Sequence, residues 1–115
     1  MHLKKILIPF LLLASLQAQD SPWPTDAGNA YSSNFGEYRD DHFHMGLDIR
    51  TNGTIGHKVY AVEKGFISRI VTNYSGYGKA IYQKTMSGKT IVYAHLDKFN
   101  PVMERVVKLQ QSKNK

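Results

Sequence analysis

Residues 80–95 read Ala80-Ile81-Tyr82-Gln83-Lys84-Thr85-Met86-Ser87-Gly88-Lys89-Thr90-Ile91-Val92-Tyr93-Ala94-His95, and this stretch decides the fold. Two runs rich in β-branched and aromatic side chains, Ala80–Lys84 and Thr90–His95, flank a short connection at Ser87-Gly88. Such side chains suit a pleated, half-buried surface, and a glycine in a short connection allows the chain to reverse, so the two runs are expected to pair as a hairpin. Towards the N-terminus, Asn73-Tyr74-Ser75-Gly76-Tyr77-Gly78 reads as a glycine–aromatic loop and Phe66–Val71 as a strand. Glu63-Lys64-Gly65 reads as a turn, and Lys58–Val62 as one more strand. Together they predict an antiparallel meander and a mainly β fold, in which one sheet face is buried and the other is free for a ligand.

Beyond the meander the pattern changes to helical. Asn100 is a good N-cap and Pro101 suits the first helical position, where no amide hydrogen is needed. Glu104 puts a negative charge in the first turn. Val102, Met103, Val106 and Leu109 recur at helical spacing and predict an apolar stripe packed on the sheet. Gln110–Lys115 is polar, and residues 112–115 are expected to fray.

The N-terminal residues have the order of an export signal. Lys4 and Lys5 precede the apolar run Ile6–Ala14 and the small-residue region Ser15–Gln19. A bilayer span needs about 20 apolar residues, so residues 1–19 are expected to be cleaved, leaving no stable membrane span. The destination would be a periplasm, the cell envelope or the extracellular space. There is no cysteine, so disulfides cannot hold an exported fold together. Without residues 1–19, thirteen basic residues face nine acidic ones, a net charge of about +4 that suits an anionic envelope. No block of Lys and Arg marks a nucleic-acid arm. Residues 20–33, rich in Pro, Gly, Ser and Asn, read as an irregular lead-in, and Trp23 as a packing anchor. Phe35–Arg39 would start a short strand or turn.

The chemically distinctive stretch is His42-Phe43-His44-Met45-Gly46-Leu47-Asp48. Imidazole nitrogens and carboxylate oxygens are zinc donors. Fully extended, His44 and Asp48 would stand about 13 Å apart, so sharing an ion requires a bend, which Gly46 can supply. The same residues could equally form a half-exposed strand whose histidines only hydrogen-bond. His95, at the end of its strand, could stand at the rim of a groove and exchange a proton near neutral pH, or be satisfied by backbone carbonyls.

Taken together, His44-Met45-Gly46-Leu47-Asp48, Gly56-His57-Lys58-Val59-Tyr60-Ala61-Val62 with Gly65, Gly76-Tyr77-Gly78 and Tyr93-Ala94-His95-Leu96 resemble the lysostaphin-type (LytM-like) zinc metalloendopeptidases. Enzymes of that family cut peptide bridges in bacterial peptidoglycan. The likeness covers roughly residues 34–111. It implies an antiparallel sheet of that peptidase fold, His44 and Asp48 as Zn²⁺ ligands, and His95 as the catalytic histidine. It also implies a substrate groove lined by Gly76, Tyr77 and Gly78, with peptidoglycan peptides as the partner.

The family carries a further His-x-His pair near its C-terminus, whereas here no histidine follows His95. A catalytic zinc normally takes three protein ligands, and His42 and His57 are the other histidines outside the export signal. The resemblance therefore implies an incomplete copy, inactive as it stands and open along one sheet edge. The competing expectation is a non-catalytic envelope module that binds wall peptides or regulates a wall hydrolase.

Overall fold

The computed structural model describes residues 21–113. The expected export signal at residues 1–19 lies outside them. The described chain is mainly strands in antiparallel sheets, closed by one helix. A short ribbon pairs β1 (Tyr31–Ser33) with β2 (Asp48–Ile49), and a three-stranded sheet follows in the order β3 (Gly65–Thr72), β4 (Lys79–Thr85), β5 (Thr90–Leu96). Helix α1 spans Pro101–Lys113.

The hairpin expected around Ser87-Gly88 forms. The Thr85 amide donates to the Lys89 carbonyl at 3.0 Å, and Gly88 takes a positive φ of 85°, which costs it no Cβ clash. Gly65 is the first residue of β3 rather than part of a turn. A Cβ there would stand 2.1 Å from the Lys84 carbonyl oxygen, so only glycine lets the two backbones approach this closely. The sheet has two register shifts. Ser68 is an extra residue in β3, its hydroxyl bonded to the Tyr82 carbonyl. The second shift lies in β5, where Tyr93 to Leu96 spans the length of Ile81 to Lys79.

The strand expected at Lys58–Val62 reduces to a single bridge between Val59 and Thr25. Its neighbour is the lead-in, and Pro22 and Pro24 have no amide to donate, so the ladder cannot extend. The remaining contacts are Tyr60 to the Pro24 carbonyl, Asp26 to the Lys58 carbonyl, and the Lys58 amide to the Asp26 carboxylate. In turn, the lead-in is not wholly irregular. Its last residues form β1, because Asp48–Ile49 provides a partner. Trp23 remains partly exposed and donates its indole N–H to the Gly28 carbonyl.

The helix begins as its sequence dictates. Asn100 caps it by accepting from the Met103 amide at 2.9 Å, and the Glu104 carboxylate reaches back to the Phe99 amide. The last turn includes Ser112 and Lys113, where an irregular end was expected, and the Ser112 hydroxyl is bonded to the Leu109 carbonyl. The expected packing of the apolar stripe is not observed. Val102, Val106 and Leu109 are exposed, and Met103 and Val107 are only partly covered.

Among the described residues the apolar core is small. Ala80 and Phe99 are its buried members, with Lys79 Nζ over the Phe99 ring. Polar groups bind the layers together. Tyr93 donates its hydroxyl to Gln83 and accepts from the Val62 amide, and buried Gln83 donates to the Glu63 carbonyl. These bonds hold the Val62–Glu63 segment across the sheet.

Candidate metal centre

The centre is built on the ribbon and on a tight hairpin between its strands. The Gly36 amide donates to the His44 carbonyl, the His44 amide to the Glu37 carbonyl, and Arg39 to the His42 carbonyl. Tyr38 and Phe43 face each other across this hairpin, rings edge to face at 5.6 Å. The chain then bends at Gly46 and enters β2 at Asp48. The bend brings His44 Nε2 to 3.1 Å from Asp48 Oδ1.

His44 Nδ1 lies 3.0 Å from the Asn34 carbonyl oxygen and 2.9 Å from the Ser33 hydroxyl. A carbonyl only accepts, whereas the hydroxyl, to which Arg39 donates, can donate to or accept from that nitrogen. On the other side Nε2 faces a carboxylate oxygen, a contact that a hydrogen on Nε2 satisfies and that an ion held between the two atoms satisfies equally. Asp48 Oδ2 is occupied by Arg39 Nη2 at 2.9 Å, which leaves Oδ1 turned towards the imidazole.

These donors fit zinc. Bonds of about 2.0–2.1 Å in a tetrahedron put two ligand atoms about 3.3 Å apart, close to the 3.1 Å observed. An imidazole that ligates through one nitrogen while its other N–H is fixed by a carbonyl is the usual arrangement of a metal-binding histidine. The residues of the expected pair are thus brought together. Among the described residues no third His, Asp or Glu joins them in a group able to hold a metal. His42 is turned to Asp41, and His57 to Asp26 and Thr54.

His95 belongs to the three-stranded sheet. It sits in the β5 irregularity with a φ of 56°, a left-handed conformation uncommon outside glycine, and its amide donates to the Tyr77 carbonyl at 3.0 Å. Bulges of this kind re-aim a side chain out of the regular alternation. The His95 ring is exposed and edge-on to Tyr77, with centroids 6.2 Å apart. Gly76 and Gly78, with φ of 66° and 60°, turn the loop that presents Tyr77. The expected groove residues therefore lie beside His95.

Ser33 and Arg39 touch the metal pair, yet neither stands out in the sequence as a site residue. The available signal was an arginine on the same hairpin as an expected ligand.

The model of peptidase family M23 matches residues 42–112, more than half of the chain, and the chain belongs to that family. The match covers His44, Asp48, the Gly76–Gly78 loop and His95. Neither a curated protein nor a solved structure matches the chain. Among the described residues, no helix is long and apolar enough to cross a membrane.

Proposed function

We propose that this peptidase-family chain is an exported zinc metalloendopeptidase module acting on the peptide cross-links of bacterial peptidoglycan. The observation that carries the reading is the approach of His44 Nε2 to Asp48 Oδ1 at 3.1 Å, close to the spacing of two ligands of one ion, with Nδ1 beside the Asn34 carbonyl on the far side of the ring. His44 and Asp48 would hold the ion. When bound, zinc supplies Lewis acidity, which polarises a carbonyl and makes hydroxide available from water near neutral pH.

The remaining roles fall to the chain's own groups. The Asn34 carbonyl and the Ser33 hydroxyl fix the Nδ1 side of His44, and Arg39 holds Asp48 turned towards it. The His95 imidazole, exposed and held out of the strand by its left-handed backbone, is free to take or give a proton. Strain at a non-glycine residue is tolerated where surrounding contacts fix it, and such positions concentrate at functional sites. The Gly76-Tyr77-Gly78 loop beside His95 would receive an extended peptide. A positive balance of charge favours approach to an anionic wall.

The test is calorimetric titration of Zn²⁺ into the 115-residue chain and into its His44→Ala variant. Uptake of about one ion that the variant loses supports the reading. Equal uptake by the two overturns it. Incubation with purified peptidoglycan, followed by mass spectrometry of released peptides, then tests the substrate.

A second reading, a module that binds wall peptides without cutting them, is favoured by the donor count: among the described residues, His44 and Asp48 are two of the three protein donors that a catalytic zinc usually takes. It predicts co-sedimentation with insoluble wall and no new peptide ends.

A further inference from the structure

The bonds around the His44–Asp48 pair form a closed circuit through two further side chains. Arg39 Nη2 donates both to Asp48 Oδ2 at 2.9 Å and to Ser33 Oγ at 3.1 Å. Ser33 Oγ is in turn 2.9 Å from His44 Nδ1, and His44 Nε2 faces Asp48 Oδ1. Arg39 and Ser33 thus tie the far sides of the imidazole and the carboxylate to one another, while the near atoms, Nε2 and Oδ1, face each other at 3.1 Å. From this we infer that Ser33 and Arg39 are positioning residues, which hold the imidazole and the carboxylate at the separation of two ligands of one ion.

Three features support the assignment. Ser33 is buried although polar, and it lies opposite Asp48 in the ribbon, so its hydroxyl is fixed by the backbone ladder as well as by its bonds. The guanidinium is a rigid donor fork with no acceptor. It can bridge a carboxylate and a hydroxyl, and it prevents Asp48 from rotating Oδ2 towards the imidazole. The four members come from three local structures: Ser33 from β1, Arg39 and His44 from the hairpin, and Asp48 from β2. Donor spacing is therefore linked to formation of the whole ribbon. Outer partners of this kind commonly change metal affinity about 10- to 100-fold when removed.

The proposal rests on reading His44 and Asp48 as metal donors, and its test separates the two. Three variants of the full chain are compared with wild type: Ser33→Ala, Ser33→Thr and Arg39→Lys. One readout is Zn²⁺ affinity by calorimetry, below the melting temperature of every variant. The other is the tautomer of His44 from ring ¹⁵N shifts in metal-free protein. Ser33→Ala and Arg39→Lys are expected to weaken Zn²⁺ binding about 10- to 100-fold and to change the tautomer balance of His44. Ser33→Thr, which keeps the hydroxyl, should restore both. Lysine keeps the charge but loses the fork, so its effect reports orientation rather than charge.

Wild-type affinity and tautomer in both Ser33→Ala and Arg39→Lys would overturn the positioning role, even if His44→Ala abolishes uptake. If instead His44→Ala binds zinc like wild type, the metal reading fails. The tautomer shift then decides the positioning role alone. Should Ser33→Ala fail to fold, Arg39→Lys carries the same decision.

Discussion

Of the three imidazole–carboxylate pairs among the described residues, His44–Asp48 and His57–Asp26 differ most plainly in what occupies their outer atoms. At His44–Asp48, a carbonyl lies at the imidazole's far nitrogen and an arginine holds the carboxylate's far oxygen, which leaves Nε2 and Oδ1 face to face with no other partner for Oδ1 among the described residues. At His57–Asp26, the nitrogens are 3.5 Å from the carboxylate and 2.8 Å from the Thr54 hydroxyl, and the same Asp26 oxygen already accepts from the Lys58 amide. The Thr54 hydroxyl already donates to the Thr51 carbonyl at 2.7 Å, so it accepts from His57 Nε2, and the carboxylate is engaged in fastening the lead-in to residues 57–60. Residue type is the same in both pairs. The second partner of each atom makes one a donor pair and the other a fastener.

The sharpest way to break this comparison is to remove each imidazole in turn. His44→Ala is expected to weaken Zn²⁺ binding by more than about 100-fold, since losing a donor costs more than losing an outer partner. His57→Ala should leave binding within about twofold. Calorimetry on both variants checks it, and equal losses would erase the distinction. Gly65→Ala comes next. Its Cβ must displace the Lys84 backbone, so denaturant unfolding should show a loss of about 1–3 kcal/mol or more. A smaller loss is expected from His57→Ala in the same assay, up to about 1 kcal/mol, because both partners are partly exposed. If the loss were as large as that of Gly65→Ala, the pair would be more than a fastener.

The smallest effect concerns a third pair, His42–Asp41, fully open to solvent. The hydrogen bond from His42, and then its charge, hold the Asp41 carboxyl below the usual carboxylate range. A depressed folded value means that the contribution is present above the unfolded value and is lost as pH falls through the folded one. Carbon-13 titration should find Asp41 titrating below an ordinary aspartate in wild type, and at the ordinary value in His42→Ala.

The meander was legible because its signals are local. Ala80–Lys84 and Thr90–His95 have the right side chains, Ser87-Gly88 the right turn, and Asn100-Pro101 the right cap. Lys58–Val62 reads just as well, but pairing depends on the neighbour, and a proline-rich lead-in could not provide a ladder. The helix stripe was legible as a periodicity and misread as a contact. Periodicity says which residues share a face, while packing depends on what lies across from it. At the site, the residues alone offered the bend at Gly46 and the pairing of His44 with Asp48 beside a half-exposed strand, and the family resemblance chose the pairing. The roles of Ser33 and Arg39 were not legible, since both act through hydrogen bonds made across the ribbon. The left-handed backbone at His95 was hidden for a similar reason, since it arises from a register offset between β4 and β5.

The left-handed turn at His95 also distinguishes the sheet's two connections as places to insert foreign sequence. The Met86–Lys89 end is bonded to Glu63 and Lys64, not to the His95 backbone, so a grafted peptide there should leave the imidazole's aim untouched. The Asn73–Gly78 end is bonded through Tyr77 to the His95 backbone itself. Lengthening it by one residue would swing the ring away, so a protein engineer has one safe handle on this sheet and one steering arm.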